Sequence, residues 1–360
     1  MIELLTSFFF LPNYSGTLDF WWPKWLVLNA SILIYFGFKI RKKFSTCLGV
    51  AFTYVSLSSL YICAGRWNQY QDLGGFDKVN IFYGVWYALT SFILLSLWFY
   101  LMEKKEFKRM ELAFSFVYIV NSLIVIGMIY LPPGHRVGLL GYPGMNASFI
   151  AISLPLFLKS TENLKFKWVF MGIFVGVFAV LISNSSIPYG ILWVLAVVYS
   201  MKSRKLLFAV GSLPILGYFI LGDQFLNSAG RCLVYEKVFK WFHQSFLFNP
   251  ILGTGNGTFI ALGPVAWGDK KDIMSWLHSD IGETYLTMGV VGFVILGYVF
   301  LKALWIHKNQ NIHYFAGLSA WLGCAVFNYP QHVAPTAILG MLYVVSAFKK
   351  DLWIKPSPLC

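Results

Sequence analysis

The residues best suited to chemistry in this chain lie in one long polar segment, residues 223–280, which interrupts an otherwise apolar sequence. The segment contains Arg231, a glycine-rich turn at 253–257, and His278 directly before an apolar run. Histidine changes charge near neutral pH and acts as a general base towards hydroxyl groups. The guanidinium of arginine suits phosphate or pyrophosphate because it offers several donors in a fixed planar fork. This combination predicts proton-transfer chemistry on a phosphorylated substrate.

Plainer explanations stay open for both features. His278, with Asp280 and Glu283 close behind it, also suits an interfacial polar residue at the start of a helix. The turn Gly253-Thr254-Gly255-Asn256-Gly257 permits unusual backbone angles, but it lacks the Gly-Lys-Ser/Thr ending of a nucleotide-binding loop. Taken alone, neither feature identifies a reaction.

The segment before the glycine turn predicts a helix of its own. Between Arg231 and Phe248, apolar residues recur at helical spacing among basic ones. Such an amphipathic helix either lies along the membrane interface or packs on a helix bundle, and the two arrangements are compatible.

Composition places the chain in a bilayer. It has 360 residues, of which 58% are hydrophobic and 12% charged, with a mean hydropathy of +0.65. These values are too apolar for an ordinary soluble domain. The net charge of +13 comes from short basic clusters between apolar runs. Such clusters act as topology signals, so we predict no nucleic-acid partner.

The apolar runs predict an all-α polytopic membrane protein with about eleven transmembrane helices. We place the longer spans at 21–38, 46–65, 81–102, 111–131, 206–222, 281–305 and 313–328. The shorter spans are placed at 144–158, 168–183, 187–201 and 334–348. Alternate connections are basic, at 39–43, 104–109, 159–167, 202–205, 302–308 and 349–355. By the positive-inside rule these are cytoplasmic, so the N-terminus and the long loop 223–280 are predicted outside and the C-terminus inside.

Other classes of membrane protein fit the sequence less well. Ionisable residues are nearly absent from the middles of the predicted spans, which argues against a proton-coupled or ion-driven transporter. The five cysteines show no paired spacing, so they predict neither a disulfide framework nor a zinc site. No outer loop contains an Asp-x-Asp metal motif, and no cleavable signal peptide is evident at the start.

Arginines in the outer loops run against the usual bias of charge across a membrane. Arg66 and Arg136 lie in two predicted outer loops, and Arg231 lies in the third. Because arginine matches the geometry of a phosphate better than that of a lipid tail, a phosphorylated lipid in the outer leaflet is the expected ligand.

The order of these features resembles the O-antigen ligase and O-antigen polymerase superfamily. The resemblance rests on the motifs Arg231-x-x-x-Tyr235, Asn249-Pro250 with Gly253-x-Gly255-x-Gly257-x-Phe259, His278-Ser279-Asp280, and Met288-Gly289-Val290-Val291-Gly292, together with Arg136-Val137-Gly138 and the loop 141–146. It covers about residues 130–305. The sequence departs from the family pattern in four places: Tyr235 replaces a tryptophan, Ile281 and Gly282 replace a Tyr-Leu pair, Thr287 replaces a glutamate, and the arginine of a Ser-Arg-Gly turn is absent at Asn184. Glu283 lies one helical turn from Thr287 and is a candidate substitute.

The resemblance implies a membrane glycosyltransferase at the periplasmic face of the bacterial inner membrane. Its donor would be a glycan linked to undecaprenyl diphosphate, and its acceptor a glycan or lipid A core. The transfer would be inverting and metal-independent, with no cofactor. His278 matches the family histidine that prepares the acceptor hydroxyl, and Arg231 and Arg136 match arginines that hold the diphosphate. The residues predicted to bind substrate are Asp280, Glu283, Tyr235, Gly255, Asn256, Asn146 and Arg66.

The sequence thus divides into three regions. Residues 1–130 form N-terminal transmembrane helices, 131–305 form the region resembling the family, and 306–360 form C-terminal helices and a cytoplasmic tail. Three activities stay open: a polymerase that joins lipid-linked repeat units, a ligase that transfers a finished glycan to lipid A core or protein, and a non-catalytic binder or translocator of polyprenyl-phosphate glycan.

Overall fold

A computed structural model describes most of the chain from residue 46 onward. The described residues are 46–61, 92–93, 95–132, 138–140, 143–183, 185–201, 203, 207, 210, 231–245, 247–256, 258–259, 262, 266, 277, 279–328, 330–331 and 333–349. Within them the regular structure is helical, without a strand. The helices are α1 Thr46–Tyr61, α2 Leu95–Leu101, α3 Lys104–Gly127, α4 Pro143–Ser160, α5 Phe166–Ile182, α6 Ser186–Ser200, α7 Arg231–Gln244, α8 Asp280–Gln310, α9 Ile312–Phe327 and α10 Ala334–Phe348, with a 3₁₀ turn at Gly138–Leu140.

Five of these helices coincide with predicted apolar runs. α4, α5, α6, α9 and α10 begin and end within two residues of the predicted bounds. The predicted spans at 21–38, at 206–222 and in most of 81–102 lie outside the described residues, apart from single positions and α2. The number of about eleven spans therefore stays a prediction.

α3 differs from its prediction at its start. It begins at Lys104 rather than at 111, so the basic residues of 104–109 lie in its first turns and not in a connection. The backbone N–H of Glu103 donates to the Glu106 carboxylate at 2.7 Å, which stabilises this earlier start. Lysine and arginine side chains in a first turn reach water past the apolar surface, so the longer helix does not bury their charges.

Two of the described helices are long and apolar enough to cross a membrane, α3 and α8. Only 28% of the most apolar window of α8 is buried, so α8 is not the core helix of a soluble fold. Large apolar side chains are exposed along its length: Val290, Phe293, Val294, Tyr298, Leu301 and Trp305. α5 exposes a similar set: Phe166, Trp168, Phe170, Met171, Phe174 and Leu181. An outer surface of this kind suits hydrocarbon rather than water.

The centre of the fold is formed by α4 and α10. Both helices are buried along nearly their whole length, from Met145 to Phe157 and from Ala334 to Ala347. Close packing depends on small residues that face large rings. Gly340 lies against Trp321 of α9, and a Cβ at this glycine would come within 2.4 Å of the indole. Membrane helices commonly approach one another in this way, because packing replaces the hydrophobic drive of water.

A polar cluster ties the helices together at one end of the bundle. Glu111 of α3 accepts a hydrogen bond from Lys159 of α4 at 2.6 Å and another from the Tyr314 hydroxyl of α9. The His307 ring of α8 stacks on Tyr314 with centroids 5.2 Å apart, and its Nε2 lies 2.7 Å from the carbonyl of Tyr343 in α10. We call this the basic end, since it contains the connections that the charge pattern assigns to the cytoplasm.

The opposite end, which we call the loop end, contains the described parts of the long polar segment. The last turns of α3 and α9 and the first turns of α4, α8 and α10 meet there. Successive helices thus run in opposite directions between the two ends. The predicted functional residues that the structure describes all lie at the loop end.

Candidate functional site

α8 begins at the residue that follows a serine cap. The Ser279 side chain accepts a hydrogen bond from the Gly282 N–H at 3.0 Å, and the Glu283 N–H donates to the Ser279 carbonyl at 2.9 Å. A serine at this position satisfies an N–H that the first helical turn leaves unpaired. His278 directly precedes Ser279 in the sequence and lies outside the described residues.

Asp280 joins the start of α8 to the connection between α9 and α10. Its carboxylate accepts a hydrogen bond from the Gln331 N–H at 2.8 Å, and its own N–H donates to the Asn328 carbonyl at 3.1 Å. The residue is buried. Its carboxylate thus bonds protein backbone, and the substrate contact predicted for it stays a prediction.

Glu283 turns back towards the segment that carries His278. Its Oε2 lies 3.5 Å from the Leu277 N–H, and the side chain is buried. Leu277 is itself buried in an apolar cluster. The chain is thus anchored on both sides of His278, by Leu277 before it and by the Ser279 cap after it.

The glycine-rich turn is inserted into a break in α8. Gly289 has φ 65° and ψ −170°, which interrupts the helix nine residues after its start. The N–H groups of Thr254 and Gly255 donate to the carbonyls of Leu286 and Thr287, at 3.0 and 2.7 Å. In return, the segment at 250–251 accepts from the α8 backbone.

The return bonds complete this exchange. The Val290 N–H donates to the Pro250 carbonyl at 2.9 Å, and the Val291 N–H to the Ile251 carbonyl at 3.2 Å. A helix break within a membrane requires such replacement partners, because hydrocarbon offers none. Two sequence motifs more than thirty residues apart thus form one backbone unit, which we call the glycine interlock and define as residues 250–255 with 286–291.

Two glycines allow the interlock to close. Gly253 and Gly289 both have positive φ, 73° and 65°. A Cβ at Gly253 would lie 2.4 Å from the Thr287 carbonyl carbon, and a Cβ at Gly289 would lie 2.3 Å from the Ile251 oxygen. Both the backbone angle and the space thus require glycine.

Two side chains of α1 form hydrogen bonds with the backbone at the interlock. The Tyr54 hydroxyl donates to the Met288 carbonyl at 2.7 Å and also hydrogen-bonds the backbone of Gly292. Ser58 Oγ accepts from the Asn256 N–H at 3.0 Å. Sequence reasoning missed both residues, because a tyrosine and a serine in an apolar run look like ordinary parts of a span.

Gly255 and Asn256 are therefore built into the protein. Both are buried, and their backbone N–H groups donate to Thr287 and Ser58. These contacts hold the turn in place, and the prediction that the two residues bind substrate stays a prediction. The predicted unusual backbone at this turn is present, with Gly255 at φ 113°.

The amphipathic helix predicted between Arg231 and Phe248 is α7, which ends at Gln244. Its apolar side packs against the start of α8 and the residues around the glycine turn in a second hydrophobic core: Val238, Phe242, Leu247, Phe248, Phe259, Leu262, Ala266, Leu277 and Leu286. Tyr235 lies at the edge of this core. Glu236, Lys237 and Lys240 are exposed on the other side, whereas His243 is exposed but its ring lies against Phe248 with centroids 4.8 Å apart.

Asn146 lies at the loop end on the first turn of α4. Its amide is fully buried against the 3₁₀ turn at Gly138–Leu140. On the same turn, the Leu139 N–H donates to Asn121 Oδ1 of α3 at 3.0 Å. Sequence reasoning missed Asn121, which stands alone inside an apolar run.

The catalytic residues of the prediction lie largely beyond the described part of the chain. His278 and Arg136 are outside it, and for Arg231 the structure describes the backbone at the first position of α7. Arg66, which is predicted to bind substrate, also lies outside the described residues. Among the described residues, no three His, Cys, Asp or Glu side chains converge as metal ligands do.

Two comparisons with known proteins, by family and by sequence, found no match. No protein-family model matches the chain, and no curated protein matches it. Its activity must therefore be argued from its own residues.

Proposed function

We propose that this protein is a membrane glycosyltransferase of the O-antigen polymerase or ligase type. It transfers a glycan from undecaprenyl diphosphate to a sugar acceptor at the periplasmic face of the bacterial inner membrane, with inversion and without a metal. The polymerase joins repeat units, whereas the ligase delivers the glycan to lipid A core.

The glycine interlock is the observation that carries this proposal. It joins the motif around Gly253-x-Gly255 to the motif around Met288-Gly289, and both motifs contribute to the resemblance. Two motifs that matched the family pattern by chance would not be expected to lie together and exchange backbone hydrogen bonds. Their junction lies about two helical turns from the start of α8, next to His278.

The proposed membrane arrangement has about eleven spans, with the N-terminus outside and the C-terminus in the cytoplasm. Two observations support it. The exposed apolar faces of α5 and α8 suit a lipid environment. The described basic stretches 104–109, 159–167 and 302–308 lie at one end of the bundle, where the positive-inside rule puts the cytoplasm.

The proposed chemistry assigns His278 as the general base for the acceptor hydroxyl. General-base assistance contributes on the order of 10²- to 10⁴-fold in rate. As the anomeric bond breaks, negative charge develops on the departing diphosphate, and Arg231 and Arg136 stabilise it without reorganisation. Glu283 bonds the backbone of Leu277, directly before His278 in the sequence, and Asp280, two residues after His278, bonds the Gln331 N–H.

Replacement of His278 tests the catalytic role. In a deletion strain that carries the gene on a plasmid, His278→Ala is expected to abolish the surface polysaccharide at normal protein level. His243→Ala is the matched control, because His243 is an exposed histidine of the same loop and is expected to be silent. Full polysaccharide in the His278→Ala strain would remove the histidine from the mechanism and leave a binding or translocating role.

Arg231→Lys tests the contact with diphosphate. Lysine keeps the charge but loses the two-pronged geometry, so we expect polysaccharide to fall at least about tenfold. Lys240→Arg on the exposed side of α7 is the control. Wild-type polysaccharide in the Arg231→Lys strain would exclude a bidentate contact.

One gel separates the polymerase from the ligase. If the protein is a polymerase, a deletion strain accumulates lipid A core that carries a single repeat unit. If it is a ligase, the same strain shows bare core. A ladder of normal length in the deletion strain would contradict both.

A further inference from the structure

Two asparagines at the loop end are buried with amide atoms that have no hydrogen-bond partner. Asn146 is 0% exposed, and neither its Oδ1 nor its Nδ2 is paired; Asn121 is 0% exposed, and its Nδ2 is unpaired. A buried donor or acceptor left unsatisfied costs about 1–3 kcal/mol. Such groups are few in folded proteins, so three of them at one place call for an explanation.

The short turn between α3 and α4 brings the two amides together. The Leu139 N–H is bonded to Asn121 Oδ1 at 3.0 Å, and the neighbouring Gly138 packs directly on Asn146. A Cβ at Gly138 would lie 2.3 Å from Asn146 Nδ2, and Gly138 has φ 55°. The amides thus lie beneath two consecutive residues of one three-residue turn.

The unpaired atoms define the chemistry of a matching group. They offer two donors, from Asn121 and Asn146, and one acceptor, from Asn146. A phosphate only accepts, so it would leave Asn146 Oδ1 facing another oxygen. A lipid tail satisfies none of the three atoms. An acetamido group matches them, because its carbonyl accepts while its N–H donates. Exchange of the oxygen and nitrogen of Asn146 leaves this match intact, since both ends of its amide are unpaired.

We propose that Asn121 and Asn146 bind the acetamido group of an N-acetylated sugar in the glycan substrate. The group enters where Gly138 packs on Asn146, and the bond from the Leu139 N–H to Asn121 Oδ1 stays in place. The inference rests on the proposed function, in that the sugar belongs to the transferred or accepting glycan. It adds the class of sugar and a binding residue on α3.

Binding is tested with the full chain in nanodiscs by saturation-transfer NMR. The probes are methyl N-acetyl-β-glucosaminide and methyl β-glucoside, which differ at the acetamido group. We expect the acetylated glycoside to bind at least about tenfold more tightly, because only it satisfies the buried amides. Equal affinity of the two probes for the wild-type protein would overturn the proposal without reference to any variant.

Variants locate the site. Asn146→Leu and Asn121→Leu are close in volume, and each is expected to weaken binding of the acetylated probe at least about tenfold. Asn309→Leu, at an exposed asparagine of the basic end, is the control and should bind as the wild type does. Unchanged binding by Asn146→Leu would assign the buried amides to a structural water instead.

The outcome is separable from that of the proposed function. A protein that binds the acetylated probe through Asn146 but makes no polysaccharide contradicts the transferase and preserves the site. A protein that makes polysaccharide but binds the two probes equally preserves the transferase and removes the site.

Discussion

At the residue scale, the loop end depends on groups that bond the protein's own backbone. Asp280 and Glu283 are carboxylates close to a proposed catalytic histidine, yet their described contacts are the N–H groups of Gln331 and Leu277. The Tyr54 hydroxyl likewise donates a hydrogen bond to the Met288 carbonyl, beside the break in α8. Glu283 thereby bonds Leu277, the residue before His278, and the Ser279 side chain caps α8 directly after it. Precise placement of a base is worth as much to a reaction as its basicity.

Gly289→Ala tests the glycine interlock. The added methyl group would collide with the Ile251 carbonyl and adopt an unfavourable positive φ, which costs about 1–3 kcal/mol from backbone strain alone. We expect a lower midpoint of thermal unfolding for the purified protein and loss of polysaccharide in cells. Gly297→Ala, in the same helix, is the control: nothing lies within 4 Å of its Cβ, and alanine favours a helix. Equal stability of the two variants would show that the break in α8 is not required.

At the element scale, α8 performs two tasks that divide at Gly289. Its first part, from Asp280 to Met288, holds the connection 328–331, the glycine turn and the second hydrophobic core. Its second part exposes apolar side chains, and its last turn carries His307 in the polar cluster of the basic end. The break therefore separates the part of the helix that serves the site from the part that serves the membrane.

The polar cluster at the basic end leads to a second prediction, which concerns the stability of the protein. Glu111 and Lys159 form a shielded ion pair, and removal of one partner of such a pair costs about 3–5 kcal/mol when the other charge stays buried. Lys159→Met is therefore expected to destabilise the protein more than the double variant Glu111→Gln with Lys159→Met. The measurement is thermal unfolding of all four proteins of the cycle. Additive effects of the two substitutions would mean that the pair contributes nothing.

At the scale of the whole molecule, the fold is apolar on its outside as well as in its core. α5 and α8 present large exposed side chains, whereas the polar clusters lie at the two ends. The basic end is closed by contacts among α3, α4, α8, α9 and α10. A translocator must open both ends in turn, whereas the proposed transferase needs access only at the loop end.

A cross-link at the basic end distinguishes these two modes. Ser115 Oγ and Ser160 Oγ lie 2.8 Å apart and join α3 to α4, so cysteines at these positions are close enough to be bridged. In membrane vesicles that contain the Ser115→Cys/Ser160→Cys protein, oxidation is expected to leave glycan transfer unchanged. The single variant Ser115→Cys controls for effects of the oxidant. Loss of activity on cross-linking, restored by a reductant, would favour a translocator.

Several features of the fold were predictable from local patterns. The bounds of α4, α5, α6, α9 and α10 follow from apolar runs that end at polar or basic residues. The amphipathic spacing between Arg231 and Phe248 predicted α7, and repeated glycines predicted the unusual backbone at 253–255. Each of these signals depends on residues that are neighbours in the chain.

The remaining features depend on residues that are distant in the chain. The insertion of the glycine turn into α8, the hydroxyl of Tyr54 at Met288, and the Leu139 N–H at Asn121 join positions separated by 18 to 234 residues. A single sequence does not encode these pairings in any local pattern, because hydrogen bonds between helices are decided by which faces pack. The sequence around Tyr54 and Ser58 would be the same whether these side chains faced lipid or another helix.

The sequence alone thus determined that the chain is apolar and that its apolar runs form helices, and it predicted alternating basic connections and candidate catalytic residues in the outer loops. These properties follow from hydrophobicity and charge, which act residue by residue against the solvent. Only the tertiary structure decided that the glycine turn supplies hydrogen-bond partners at the break in α8, and that Asp280 and Glu283 bond the backbone of Gln331 and Leu277. The physical reason is that buried polar groups must find partners, and the folded chain alone decides which partners are within reach.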